Sequence, residues 1–310
     1  MLDALIDAIW GPKPIARLVI VRVFAPLAIL GFMSHRILHA DDWLSVDGFR
    51  VPTEIQDWRQ PLPIPGAPVW LAWTIALAFL ASGVMTILGA FTRWSAGVFA
   101  AIAIYVALAD RLAAFTVSKL APMIGLALAL TPSAAALSVD AWRRLKRDPK
   151  AILPTRVSGG SVSFFQILLP VFYCSSGIAK LKGAWADNSY VLWSHVHDSY
   201  QTHFSYWLAG ALPAGAWPIL QITVLVFEIG APLWFALPWT RTPALIYGLG
   251  MHLMIGLMFG PVIWFSLLMM TMLVASYTPI AWIDRAIAWI ARVPWLAKIC
   301  PLPRVAPKKI

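Results

Sequence analysis

Apolar runs of about 20 residues recur from one end of the chain to the other, and no other feature restricts the fold as much. About 20 such residues cross a bilayer as a helix, and only helices or closed barrels satisfy their backbone there. The runs are far too long for barrel strands. Spans are expected at Ala16–Ser34, Val69–Ala90, Ser95–Ala109, Leu120–Val139, Phe164–Lys180, Trp217–Leu237, Pro243–Gly260 and Val262–Ile283. The third is short and the last two are parted only by Gly260-Pro261, so the expectation is about eight. The expected fold class is all-α: a polytopic bundle of about eight transmembrane helices. Composition agrees, since 12% charged residues is half of the roughly 25% that a wetted soluble surface needs. The 17 Trp fit indoles anchored at headgroup level.

Charge sets the direction, because cytoplasmic loops are enriched in Lys and Arg. With the N-terminus inside, the inner segments hold Lys13, Arg93, Arg143, Arg144, Lys146, Arg147, Lys150, Arg156 and Arg241. The tail adds Arg285, Arg292, Lys298, Arg304, Lys308 and Lys309. The outer segments hold Arg36, Arg50, Arg59, Arg111 and Lys119, diluted by Asp41, Asp42, Asp47, Glu54, Asp57, Asp110, Asp187 and Asp198. Both termini are therefore expected in the cytoplasm, and the protein in the cytoplasmic (inner) membrane. The net charge of +10 reads as topology with some attraction to anionic lipid, not as a nucleic-acid surface. The start, MLDALIDAIWGPKP, is acidic and broken by Gly and Pro, and does not read as a cleavable signal. Leu2–Trp10 and Trp282–Leu296 are amphipathic and expected in the interface. A single domain is expected: an interfacial helix over 1–14, the bundle over 16–283 and a basic tail over 284–310. Two long outer loops, His35–Pro68 and Lys182–Ala216, would cap an outward-facing site.

Ionisable groups inside spans are costly, so each is a functional candidate. Arg17 is near enough to the span's start to snorkel, whereas Arg22 needs an anionic partner or a polar cavity. Lys180 shares a helical face with Tyr173, Ser176 and Gly177, whose small members leave room for a helix or a ligand. A lysine taken out of water can release its proton and act as a base, and it can equally be a snorkelling residue at a helix end. Glu228 lies at mid-span and must be protonated or paired with a cation such as Arg22. His252, flanked by Gly248 and Gly256, could bond a neighbouring helix or join a proton relay, and Gln166 is a buried amide open to the same two readings. No metal is expected: His195, His197, His203 and Asp198 form a weakly specific set, and Cys174 and Cys300 cannot make a zinc site alone. Phosphate loops, HExxH and nucleophile elbows are absent from the sequence.

The segment QILLPVFYCSSGIAKLKGAW, from Gln166, resembles the hallmark of the HTTM family, the membrane region shared with vitamin K-dependent gamma-carboxylase. FEIGAPLWF and MHLMIGLMFGPVIWFSLLMM are similar to the family's acidic and His-bearing spans, and ARLVIVRVFAPLAILGF to its Arg-containing first span. LGAFTRWS and LALALTPSAAALSVDAW resemble its loop-and-span pattern before a Ser-x-Asp. The resemblance puts Lys180 at the catalytic lysine, His252 at the family histidine and Glu228 at its acidic position. It implies that Lys180 would deprotonate a quinol of the vitamin K or menaquinone kind, that oxygenation would give a strong base, and that carbon dioxide would add to a glutamate carbanion. Arg22, Gln166, Tyr173, Ser176 and Gly177 are then candidates for cofactor binding. Two departures stand against full identity with the carboxylase: the segment after the bundle is expected to be a basic tail and not a large luminal domain, and Lys119–Val139 lacks its His and Asn.

The leading expectation is a quinol-linked membrane enzyme that carboxylates or oxidises an exported peptide or small substrate near the outer leaflet. The alternative is a non-enzymatic assembly or maturation factor for a membrane-protein partner or secreted peptide. Transport is a weaker third reading, since no inverted repeat is evident.

Overall fold

The computed structural model describes residues 2–49, 62, 64–109, 115–198 and 200–292. Expectations that fall on Arg50, Glu54, Asp57, Arg59, Asp110, Arg111, Cys300 and the tail lysines and arginine from Lys298 onward lie outside the described residues. In chain order the elements are α1 (Leu2–Trp10), β1 (Lys13–Pro14), α2 (Ala16–Leu38), α3 (Ala40–Leu44), α4 (Val69–Leu88), α5 (Thr92–Ala109), α6 (Thr116–Leu130) and α7 (Val139–Arg147). They continue with β2 (Arg156–Val157), α8 (Gly160–Leu181), α9 (Ala184–Asp187), α10 (Val191–Val196), α11 (His203–Ala211) and α12 (Ala216–Ala236). α13 (Pro238–Met258), a short 3-10 turn at Gly260–Val262, α14 (Ile263–Tyr277) and α15 (Ile280–Ala291) complete the set.

Among these, α2, α4, α5, α8, α12 and the run Gly260–Tyr277 are long and apolar enough to cross a membrane, six in all. α6 is apolar but only 15 residues long, and α13, which carries Arg241 and His252, falls outside the set. The protein is an all-α, multi-pass membrane protein. Three expected boundaries are corrected. The span from Leu120 to Val139 stops at Leu130, because Pro132 drives Thr131 into extended backbone, and the helix resumes only at Val139. The last span ends at Tyr277 before Thr278-Pro279, and α15 follows as a separate amphipathic helix. The stretch expected as a long loop after Lys182 instead holds α9, α10 and α11.

The chain forms two compact units: residues 11–161 with 284–310, and residues 1–10 with 162–283. In the first, α2 packs on α4, α4 on α5 and α5 on α6. Small residues bring these helices close: a Cβ on Gly125 would lie 2.9 Å from Ala100 Cβ, and Ala72, Ala76, Ala96, Ala100 and Ala121 are buried. Phe79 and Phe99 stack at 4.6 Å in the core.

One end of this unit is tied by polar bonds. β1 pairs with β2 antiparallel, and Arg156 Nη1 donates to Pro12 O. Gly89 ends α4 with φ +66, which glycine adopts without strain, and a Cβ there would strike Ser138 Cβ at 2.4 Å and Arg22 Nη1 at 2.7 Å. The Asp140 carboxylate caps the next helix by accepting from Phe91 N, Thr92 N and Thr92 Oγ1, each at 2.9 Å. Lys13, Arg93, Arg143, Arg144, Arg147 and Arg156 belong to the segments that these bonds tie together.

The same end explains Arg22. Its Nη1 donates to Ser133 O (3.1 Å) and Ala136 O (3.2 Å), and its Nη2 donates to Leu137 O. Non-helical backbone at membrane depth needs partners for its carbonyls, and the guanidinium of a fully buried arginine supplies them. Of the two expectations for Arg22 the polar surroundings are found, in the carbonyls of residues 133–137, and the suggested pairing with Glu228 is corrected, since Glu228 pairs with Lys180.

In the second unit, α12 packs on α13 and α13 on α14. Gly248 lies against Leu273 and Phe227, and Gly256 against Ser266, so the glycines flanking His252 admit the neighbouring helices. α10 and α11 pack on the ends of α12 and α13 around Val196, Leu208, Trp217 and Met258. Thr202 Oγ1 donates to Leu257 O at 2.7 Å, fastening this cap to the α13–α14 turn.

Candidate functional site

α8 carries Gln166, Tyr173 and Lys180 at steps of seven residues, which sets them on one stripe about 10 Å apart along the axis. Each meets a different helix. Gln166 Nε2 donates to Ser276 O of α14 at 2.6 Å. Pro170 has no N–H to offer the carbonyl four residues back, and the Tyr277 hydroxyl donates to that Gln166 oxygen instead. Tyr173 Oη lies 2.7 Å from His252 Nε2 of α13. Lys180 reaches Glu228 of α12.

The Lys180 ammonium has three donors and three acceptors. Nζ lies 2.6 Å from Glu228 Oε1, 2.5 Å from Oε2 and 3.0 Å from Ser176 Oγ. Gly177 makes the contact geometrically possible: a Cβ there would be 2.9 Å from Ile229 N and 3.1 Å from Glu228 Cβ, so only glycine lets α8 approach α12 this closely. The side chains are 24% and 9% exposed, so Lys180 keeps some access to solvent while its partner is nearly enclosed. The Trp185 ring stands 5.4 Å from Nζ and roofs the pair. Short and bidentate, the pair can pass a proton between nitrogen and carboxylate without moving a heavy atom far.

His252 is 2% exposed; Phe265 meets it edge-on at 5.6 Å and its Nδ1 has no partner among the described residues. Aromatic rings join these rungs: Phe227 contacts Tyr173 at 5.2 Å and Tyr247 at 4.9 Å, and Phe235 stacks on Tyr277 at 4.1 Å. Of the residues singled out in the sequence, Lys180, Glu228, Ser176 and Gly177 meet directly. Tyr173 and His252 form a second contact linked to them through Phe227, and Gln166 a third, lower one. His195 and His197 turn their Nδ1 atoms to Val191 O (2.7 Å) and Trp193 O (2.8 Å) of their own turn.

Sequence reasoning missed Gln221 and Trp185. Gln221 is 2% exposed and fully bonded: Nε2 donates to Trp185 O (3.0 Å) and Asn188 O (2.8 Å), and Oε1 accepts from Leu192 N (3.0 Å). It holds the segment that carries Trp185 over Lys180. Its signal was present, since Gln221 stands seven residues before Glu228 on the same face of α12. Nothing in the sequence gave the loop partner.

No curated protein and no solved structure matches the chain. Residues 10–282 match the family model described as the HTTM domain. That match runs from the last residue of α1 into α15 and takes in every rung of the α8 stripe, and the chain accordingly belongs to the HTTM domain family.

Proposed function

We propose that the chain is a carboxylase-like, quinol-linked enzyme of the cytoplasmic (inner) membrane, with Lys180 and Glu228 acting together as the base. Its substrate is an exported peptide or a small molecule reached from the outer leaflet. The observation that carries this reading is the bidentate contact of Lys180 with Glu228 beneath Trp185. Because all three Lys180 donors are engaged, an incoming proton requires that one leave first, and Glu228 is its acceptor. The base is then a dyad and not a solitary lysine, which sharpens what the resemblance alone implies.

A hydroquinone would find a charged pair for a ring hydroxyl and, in the partly exposed Trp185, an aromatic wall beside it. When bound, that group would supply the reducing equivalents and, with oxygen, the strongly basic chemistry the family relationship implies. Lys180 holds and returns the proton at Nζ, Ser176 orients the ammonium, and Tyr173 and His252 hold a second polar contact about two helical turns away. Eight crossings with both termini cytoplasmic accord with α6 and α13 joining the six long apolar helices, and put the Lys180 end outside.

The test is turnover by purified protein with menaquinol or ubiquinol, oxygen and bicarbonate. Quinol consumption that Lys180→Ala abolishes is the expected result. No consumption, with neither quinone binding nor cell phenotype changed by Lys180→Ala, ends the reading. The complete donor set of Lys180 also favours a second reading, an interhelical clamp in a non-enzymatic assembly or maturation factor. Co-purification of a stoichiometric partner without turnover would select it.

A further inference from the structure

The turn between α4 and α5 holds a strained residue that no part of the Lys180 site explains. Phe91 sits at φ +48, in the left-handed region that a bulky side chain rarely enters, and the residue is 55% exposed. Strain of this kind persists where the surroundings fix it, and here Asp140 does so through Phe91 N and the Thr92 groups. The consequence is a placed aromatic face. The Arg143 guanidinium lies over that ring at 4.4 Å, and its Nη1 is 3.8 Å from Asp140 Oδ1.

Phe91, Asp140, Arg143, Arg144, Arg147 and Asp148 line a cleft of about 480 Å³, within the roughly 300–1,000 Å³ of small-molecule sites. Its two acids are committed to backbone: Asp140 as described, and Asp148 Oδ1 by accepting from Lys150 N at 3.0 Å. Arg144 and Arg147 have no acidic partner within salt-bridge distance among the described residues. The cleft is therefore rich in guanidinium N–H groups and poor in free carboxylate. The segments that form it also carry exposed indoles, Trp94 at 80% on α5 and Trp142 at 52% on α7, and the exposed apolar side chains of Leu88 on α4 and Val98 on α5. A basic cleft on helices that also carry exposed indoles and exposed apolar side chains offers the three kinds of contact an anionic phospholipid needs, for phosphate, glycerol and acyl chain.

We infer that the cleft between Phe91 and α7 is a specific binding site for the headgroup of an anionic diacyl phospholipid. Arg143, pre-positioned on Phe91, and Arg147 and Arg144 take the phosphate oxygens, while the acyl chains run along Leu88 and Val98. The leaflet, cytoplasmic, follows from the orientation proposed above; the site does not depend on it, nor on the Lys180 chemistry.

Native mass spectrometry of the detergent-purified full chain tests this, titrated with phosphatidylglycerol and with phosphatidylcholine of the same acyl chains. Wild type is expected to retain phosphatidylglycerol with about tenfold preference or more, and Arg143→Ala/Arg147→Ala to lose it. Phe91→Gly guards against a folding artefact: it relieves the positive φ and should raise the melting temperature, yet lower the preference because Arg143 loses its platform. Equal retention of the two lipids by wild type, or a preference unchanged in both variants, overturns the site. Displacement of the lipid by equimolar soluble glycerol phosphate overturns the lipid assignment in favour of a free phosphate ligand.

Discussion

Two cations inside the helix bundles, Arg22 fully buried and Lys180 partly so, show how differently the two units use positive charge. Arg22 directs its planar fork at three carbonyls of a non-helical stretch, and its role is complete once those oxygens are bonded. Lys180 directs a point charge at a carboxylate, a partner that can take its proton. Both lie on helices loosened by a proline, and the parallel goes further. Pro26, Pro170 and Pro232 stand four residues after Arg22, Gln166 and Glu228, so each removes the N–H that would meet that residue's carbonyl. The lesson is that burial of a charge does not mark a reactive site, whereas the protonation options of its partner do.

That contrast can be broken most easily at Arg22. Arg22→Ala should cost about 4 kcal/mol, enough to abolish folded protein in a detergent thermal-stability assay. Arg22→Lys should rescue little, since an ammonium cannot match the fork, and near wild-type stability of Arg22→Lys would break the comparison. At the other cation, Lys180→Ala or Glu228→Ala alone should cost about 3 kcal/mol by stranding a buried charge. Lys180→Met with Glu228→Leu should recover most of it, a coupling measurable by a double-mutant cycle in the same assay. Gln221→Leu leaves two carbonyls and one N–H unbonded and should cost about 2 kcal/mol. Its signature is faster amide exchange at residues 185–192, with the Gln166 end of the stripe unaffected. Smallest is Tyr173→Phe, worth about 1 kcal/mol as one interhelical bond, with no change in the Lys180–Glu228 coupling.

Helix existence was legible because apolar length is a local property. The seven-residue spacing of Tyr173 and Lys180 was legible too, and one further step reaches Gln166. Partners were not. Glu228 could be assigned any cation, Arg22 among them, because pairing across helices depends on approach distances that Gly177 sets locally. The end of α6 at Leu130 was masked by the hydrophobic run from Pro132 to Val139, whose backbone is held by Arg22 more than 100 residues earlier. Gln221 was hidden for the same reason: its partners are backbone atoms of a cap that read as a loop.

Turnover by Lys180→Arg tests the central claim most directly. Arginine can preserve the salt bridge to Glu228 but cannot give up its proton at accessible pH. The account predicts a folded variant, close to wild type in stability, whose quinol consumption falls at least about 100-fold. A Lys180→Arg protein that consumes quinol at the wild-type rate would contradict it and leave Lys180 as a clamp.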